Sequence, residues 1–461
     1  MQGDFNEKLE EYVATLIRQM QNGEHESIKA FNETLHAVDI ALIMRELDEH
    51  YRNIYFSLLG FEEASAVLEE MSAEAFYDLI KNLDKNLRML ILDFMPQDDI
   101  VDKLYDLPAN QKNRILAYLD IQDAKEVVEL LDYKEDSAGG KMTKDYVTLM
   151  PNMTVDEAID QLRMTAPDAE TIYYVFVTDE EETLLGVISL RELIVSKGDV
   201  LIEDIMNPHV IAVHENADQE EVARIVSKYN FLVVPVIDES QRLKGIITID
   251  DIIDVIEEEA TEDIFKFAGS SDLEDFEDDD SSLKRIVYAV RSRLPWLIVT
   301  IFGGLLSASV ISKFSGTLSM DTTLVLFMPL LAGIGGNVGT QSSTITVRSI
   351  ALNYIEGWTV VKTILQEVAV GLIIGTVCSL IVGVVAYLTR GEMILSVIVG
   401  LSMFANIVTA ATIGTLLPLT FKKIGIDPAV ASALFISTVV DITGLSIYFG
   451  LATYLMRVLI N

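Results

Sequence analysis

One carboxylate in this chain stands where water is scarce. Asp441 sits near the middle of an apolar run, in Ser437-Thr-Val-Val-Asp441-Ile-Thr-Gly444. On insertion scales an acid at the centre of a membrane helix costs about 2.5–3.5 kcal/mol, so it must face a pore or a polar partner. A purely structural hydrogen bond between helices is the plainer alternative. A second polar set lies in Gly333-Ile-Gly335-Gly336-Asn337-Val-Gly339-Thr340-Gln341-Ser-Ser. Its glycines either break a helix that lines a cavity or let helices pack closely. Asn337, Thr340 and Gln341 supply neutral oxygens. Together with Asp441 they suggest a path for a cation. Other chemistry is missing: there is no paired acid and base, no nucleophile elbow and no P-loop. His25, His36, His50, His209 and His214 show no zinc spacing, and the single cysteine, Cys378, allows no disulfide within the chain.

The elements that hold these residues follow from the charge distribution. The 461 residues carry 34 Lys/Arg and 71 Asp/Glu, a net charge of −37, yet half of them are hydrophobic and the mean hydropathy is +0.33. Such acidity repels nucleic acid, so no nucleic-acid partner is expected. Residues 284–461 hold 11 basic and 6 acidic residues, leaving 23 and 65 in 1–283. The chain is thus an acidic soluble region followed by a slightly basic membrane domain. Five apolar segments, at about 294–313, 324–347, 361–388, 393–421 and 429–456, are each long enough to cross ~30 Å of hydrocarbon. Lys284, Arg285, Arg291, Arg293, Arg348, Lys362, Lys422 and Lys423 fall on one side, against Lys313, Arg390 and Arg457 on the other. The positive-inside rule then puts the soluble region in the cytoplasm and the C-terminus outside, in a multi-pass plasma or inner-membrane protein. The N-terminus lacks the basic start and apolar core of a signal peptide.

The soluble region reads as two sets of repeats. Apolar pairs spaced i, i+3 recur every twelve residues: Met44/Leu47, Phe56/Leu59, Leu68/Met71, Ile80/Leu83, Leu92/Met95, Leu104/Leu107, Leu116/Leu119 and Val128/Leu131. Ser72, Asp84, Pro96, Pro108, Asp120 and Asp132 follow the pairs as cap or first-turn residues. Short helices stacked into a superhelix are expected. From Met142-Thr143 and from Met206-Asn207 a β-α-β-β-α pattern runs twice, with helices at Val155–Met164 and Gln219–Tyr229 and Gly-led strands from Gly186 and Gly245. This resembles a tandem CBS-domain pair. Ile253, Ile256, Ala260, Ile264 and Phe267 then mark one face of a connecting helix with carboxylates opposite. The run Asp272, Glu274, Asp275, Glu277, Asp278, Asp279 and Asp280 reads as a solvated linker.

The series as a whole resembles the MgtE family of magnesium channels. Its most specific pieces are Gly335-Gly-Asn-Val-Gly-Thr-Gln341, Asp427-Pro-Ala-Val-Ala-Ser432 and Asp441-x-x-Gly444. The expected architecture is multidomain: an all-α superhelical N-terminal domain (1–136), an α/β CBS pair (137–200 and 201–256), a connecting or plug helix with its linker (257–283) and a five-helix α membrane domain (284–461). The resemblance implies a homodimer with a pore between the two membrane domains, and no enzyme. It implies an ion path at Asp441, Asn337, Gly336, Thr340, Gln341 and Ala429. It also implies Mg²⁺ sensing at Asp427, Glu259, Glu262, Asp263, Asp250, Asp251, Asp254, Asp98, Asp99, Asp102 and Glu220. Mg²⁺ is the expected ligand, with ATP at the CBS pair, near Thr248 and Asp251, as a further one. On this reading cytosolic Mg²⁺ neutralises the soluble carboxylates and draws the plug helices onto the inner mouth. Ala433-Leu434 stand where the family has Gly-Pro, Ser437-Thr438 where it has Thr-Thr, and Thr340 where Asn is common, which leaves Mn²⁺ and Co²⁺ open as passengers. A coupled divalent-cation carrier or exporter, and a nucleotide-sensing signalling protein, are the competing readings.

Overall fold

From His36 onward a helix is capped every twelfth residue. Two helices, α1 (Gln2–Asn22) and α2 (His25–Asn32), precede the series. Then come α3 (Ala37–Glu46), α4 (Glu49–Phe56), α5 (Phe61–Glu69), α6 (Ala73–Asn82), α7 (Lys85–Phe94), α8 (Gln97–Asp106), α9 (Ala109–Leu116) and α10 (Ile121–Leu131). Asp48 accepts from the Tyr51 amide at 2.9 Å, Ser72 from Ala75, Asp84 from Asn86, and Asp120 from both Gln122 and Asp123. Pro96 and Pro108 cap without a side-chain bond, since each fixes the extended backbone that enters the helix. The apolar pairs close each unit, and Met44, Leu47, Leu68, Met71, Ile80, Leu92, Leu104 and Leu107 are all buried. The last pair departs from the pattern. Val128 is 45% exposed, and Val127 and Leu130 are buried instead. Asp132 ends α10 rather than capping a new helix. With no helix following it, α10 rolls by one residue to pack back on α8. Phe76 lies in the middle of this core and is fully buried. Phe76→Ala is expected to cost about 3–5 kcal/mol, and Ile121→Ala, at a position 93% exposed, less than about 0.5 kcal/mol. Chemical unfolding of the purified full chain in detergent measures both.

The structure, a computed structural model, describes residues 2–165, 169–270, 282–352, 354–355 and 357–460. The acidic run at 272–280 lies outside them. The chain divides into two compact units, 1–256 and 257–461.

The CBS pair completes the first unit. Copy one holds β1 (Thr148–Leu149), α11 (Val155–Thr165), β2 (Tyr174–Thr178), β3 (Leu184–Ser189) and α12 (Leu190–Val195). Copy two, preceded by the single turn α13 (Ile202–Ile205), holds β4 (Val213–His214), α14 (Gln219–Tyr229), β5 (Val233–Ile237), β6 (Leu243–Thr248) and α15 (Ile249–Ala268). In each sheet the first strand pairs parallel with the second, and the second antiparallel with the third. The leaders are exchanged between copies: Thr143 bridges to Ile246 of copy two, and Asn207 bridges to Val187 of copy one. This explains Gly186 and Gly245. A Cβ on either would sit within 2.8 Å of the Met206 or Met142 side chain that crosses it. The core of the N-terminal helices runs directly into that of copy two, through Ala138, Met142, Val222, Val226, Ile252 and Val255. Helix α15 leaves this unit without a break. Its predicted apolar face is exposed, Ile253 at 56% and Ile264 at 68%.

The second unit has α16 (Ser282–Lys313), the short α17 (Ser315–Met320), α18 (Met328–Ala351), α19 (Trp358–Arg390), α20 (Met393–Lys423) and α21 (Ala433–Ile460). Among the described residues, five helices are long and apolar enough to span a membrane, as the composition predicts. Helix α20 is the central one and packs against α18, α19 and α21. Helix α18 runs unbroken through the glycine motif, so those glycines serve close packing and not a break.

Candidate ion path and carboxylate sites

Asp441 lies on α21, half-buried, and its carboxylate has no hydrogen-bond or ion-pair partner among the described residues. The structural alternative, an acid bonded between helices, is therefore not what this protomer shows. Helix α18 packs on α21: Gly336 faces Ser437, and Gly339 faces Ile436 and Val440, which brings the glycine motif against the stretch that leads to Asp441. Gly333, Asn337 and Gln341 recur at helical spacing on an exposed face of α18, with Thr340 half-buried beside them and Gly336 buried behind. A carbonyl- and amide-bearing stripe of this kind is costly against hydrocarbon. Two membrane residues give no motif signal. Asn406 of α20 is buried and donates from Nδ2 to the Leu331 carbonyl at 2.7 Å. Glu367 of α19 accepts from Ser342 Oγ at 2.8 Å.

At the start of α21 the Asp427 carboxylate is fully engaged. Its Oδ1 accepts from the Ala429 amide at 2.8 Å and caps a 3-10 turn at Pro428–Val430 that buries Ala429. Its Oδ2 accepts from Lys266 Nζ at 3.0 Å, and the same ammonium meets Glu262 at 2.7 Å. Burial alone would lower the lysine, but the bonds to Glu262 and Asp427 outweigh it and hold Lys266 above its ordinary value. A tethered cation thus already bridges two of the predicted sensing carboxylates. Glu259 and Asp263 lie half-buried on the same helix.

In the first unit the carboxylates of α8 face the start of α15. Asp98 is raised well above the usual range by burial first, then by Asp99, Asp251 and Glu170, and its Oδ1 is buried with no partner among the described residues. Burial, Glu69 and Asp251 push Asp99 up to about 8. Asp251 rises to about 6 for want of water, against a 2.6 Å bond from Thr248 Oγ1 that lowers it. Asp102 is raised by burial, less so because Lys141 and Lys103 lie near. Glu170 and Glu69 belong to this group and carry no motif. Glu170, exposed on its outer side, is raised to about 7 by lost hydration and by Asp251 and Asp250. Asp250 and Asp254 are exposed on α15, and Glu220 stands in the first turn of α14. Among the described residues, only Asp93, Asp120 and Asp123 bring three carboxylate oxygens within 4.8 Å of one another. The α8 group is wider, a spacing suited to an ion that keeps its water.

Thr248 and Asp251 form a cap at the start of α15, as Ser189 and Glu192 do at the start of α12. The open groove of the CBS pair, about 530 Å³, lies on the copy-one side, lined by Tyr173, Tyr174, Ser189, Leu190, Arg191, Ile194, Val195 and Leu232. Its exposed tyrosines and arginine offer stacking and an anion contact.

Known proteins agree with this organisation. Residues 35–136 match the MgtE intracellular N domain, 138–197 and 202–258 the CBS domain, and 328–451 the MgtE divalent cation transporter family. The magnesium transporter MgtE of Bacillus subtilis is 35% identical over 97% of this chain and 98% of its own length. That of Thermus thermophilus is 36% identical over 97% of this chain and 100% of its own. Among solved structures, the soluble part of a magnesium transporter aligns with a TM-score of 0.51 at 38% identity, over 55% of this chain and 99% of that one. The cytosolic domain of the Mg²⁺ channel MgtE in complex with ATP aligns at 0.50 and 40% identity, over 53% of this chain and 99% of its own. With its helical repeats, CBS pair and five spanning helices, the chain belongs to the MgtE family of magnesium transporters and is a multi-pass membrane transport protein, not an enzyme.

Proposed function

We propose that the chain forms a homodimeric Mg²⁺ channel for uptake, closed by cytosolic Mg²⁺ bound to its soluble carboxylates. The observation that carries this is Asp441: a mid-membrane acid on α21, the helix packed against the one that bears Asn337, with no hydrogen-bond or ion-pair partner among the described residues. A second protomer would bring a second Asp441 to face it. Two carboxylates repel until a divalent ion arrives, and Mg²⁺, which gives up water reluctantly, is held through its hydration shell. The exposed polar face of α18 supports the same interface, since lipid would leave Asn337 and Gln341 unsatisfied. Thr340 and Gly336 flank this path, and Ala429, buried in the turn that Asp427 caps, supports its cytoplasmic mouth from behind. Flux measured at constant pH without Na⁺ separates channel from coupled carrier. A channel conducts Mg²⁺ down its gradient; a stall shows the carrier.

On the cytoplasmic side, the α8 carboxylates with Asp251, and Glu259, Glu262, Asp263 and Asp427 at the plug, hold sensing ions, with Asp250, Asp254 and Glu220 adding negative potential. Lys266 holds part of the plug contact without Mg²⁺. Lys266→Gln leaves Glu262 and Asp427 to repel, so closure should need about fivefold more Mg²⁺, as expected for loss of a part-exposed ion pair worth roughly 1 kcal/mol. An unshifted Mg²⁺ dependence of flux contradicts this. ATP is the second ligand, and the aromatic groove favours it at Tyr173 and Arg191, with the Thr248–Asp251 cap on the opposite copy. Tyr173→Ala should weaken ATP binding to the full chain about tenfold, through loss of one stacked base; calorimetry measures it.

A further inference from the structure

One side chain touches both helices of the proposed path. Asn406, 1% exposed on α20, lies where α18 and α21 come together. A Cβ built on Gly335 would lie 2.5 Å from its Nδ2, and one built on Gly444 would lie 2.4 Å from its Oδ1. Either approach is closer than real Cβ atoms make, and the obstacle is a short side chain with little room to turn. Nδ2 is fixed by its bond to the Leu331 carbonyl, one turn before Gly335. Oδ1 has no partner among the described residues. A buried amide with an unpaired oxygen is a poor choice for packing alone, where leucine or alanine would do.

We infer that Asn406 is a positioning residue for conduction: its carboxamide, clasped between Gly335 and Gly444, sets the axial register of α18 against α21. Gly335 stands two residues before Asn337, and Gly444 three residues after Asp441. One clasp therefore keeps the neutral and the charged ligand at one depth. A slip of a single residue along either helix would move them apart by about 1.5 Å, enough to spoil shared contact with one hydrated ion. Gly335, the first glycine of the Gly-Gly-Asn piece, and Gly444 of the Asp-x-x-Gly piece are then required by Asn406, which neither motif contains. This rests on the reading of Asp441 as the pore acid.

The test uses full-length protein in proteoliposomes, with size exclusion in detergent to confirm assembly. Mg²⁺ and Co²⁺ flux are read for Gly444→Ala, Asn406→Ala, the double variant and Asp441→Ala. Gly444→Ala should lose flux at least about tenfold, because its methyl group strikes Oδ1. Asn406→Ala, which only opens space, should lose about threefold and narrow the preference for Mg²⁺ over Co²⁺. The double variant should recover to the level of Asn406→Ala, because the obstacle has gone. A double variant as poor as Gly444→Ala overturns the inference, as does an Asn406→Ala protein with wild-type rate and ion preference. Conduction by Asp441→Ala would instead remove the pore reading on which the inference stands.

Discussion

Asp441→Ala should lower Mg²⁺ flux at least about 100-fold while leaving the protein as stable as before or more so. A divalent ion about 5 Å from one carboxylate, through a water layer at an effective dielectric of about 20, gains roughly 7 kcal/mol. Loss of under half of that gives the 100-fold. Stability should not fall, because Asp441 makes no hydrogen bond or ion pair within its protomer among the described residues. Removing a costly, unpartnered intramembrane charge relieves strain and breaks no contact. Asn at 441 keeps the size and loses the charge, so it should fall nearly as far as Ala. Glu keeps the charge and shifts it outward, so it should retain part of the flux. A structural acid would reverse the pattern, with Asn tolerated and thermal stability lost in Ala. Flux and detergent melting curves of the three variants decide between them.

The second large effect is on the sensor. Without Mg²⁺, Asp98, Asp99, Asp251 and Glu170 all have raised values in the folded chain, up to about 8 for Asp99, about 7 for Glu170 and about 6 for Asp251. The folded state therefore binds more protons than the unfolded one between about pH 4 and pH 8. Since stability changes with pH as the protons bound unfolded minus those bound folded, it falls as pH rises through that window. Mg²⁺ bound at this site, as proposed, would take the place of those protons. Its apparent affinity should rise about tenfold per pH unit for each proton displaced, and level off above about pH 8. Protons discharge the same carboxylates, so flux in the absence of Mg²⁺ should be lower at pH 6 than at pH 8 and should respond less to added Mg²⁺. The variant Asp98→Asn/Asp99→Asn/Asp251→Asn removes the charge that would push α8 and α15 apart. It should be docked and poorly conducting at any Mg²⁺ level, with flux independent of pH in this range. A triple variant that still opens as Mg²⁺ falls would place the sensor elsewhere.

Much of this was legible in the residues, for local reasons. A cap and an apolar pair lie within one turn of each other, so the period from Asp48 to Asp120 could be counted directly. Alternation and glycines marked the strands of the CBS pair, and hydropathy marked five spans. Asp441 stood out because a charge in an apolar run is expensive. Contacts between distant segments left little trace. Nothing near Met142 or Met206 says that each leader crosses to the other copy. Val128 follows the period and still turns outward, because no further helix covers it. Glu170 sits in a loop and joins the α8 carboxylates only through the fold. Lys266 reads as one basic residue in an acidic helix until Asp427 is brought to it. Asn406 has an ordinary apolar neighbourhood in sequence, and its meaning lies in two glycines on other helices.

If Mg²⁺ on the side of the soluble region closes a pore through the membrane unit, the closure is visible as Mg²⁺ current across a planar bilayer containing the full chain, with Mg²⁺ raised only on the face that carries the soluble region. The current should fall as this Mg²⁺ rises and return when it is chelated. Current indifferent to Mg²⁺ on that face, with Asp441→Ala still silent, would leave the pore and contradict the gate.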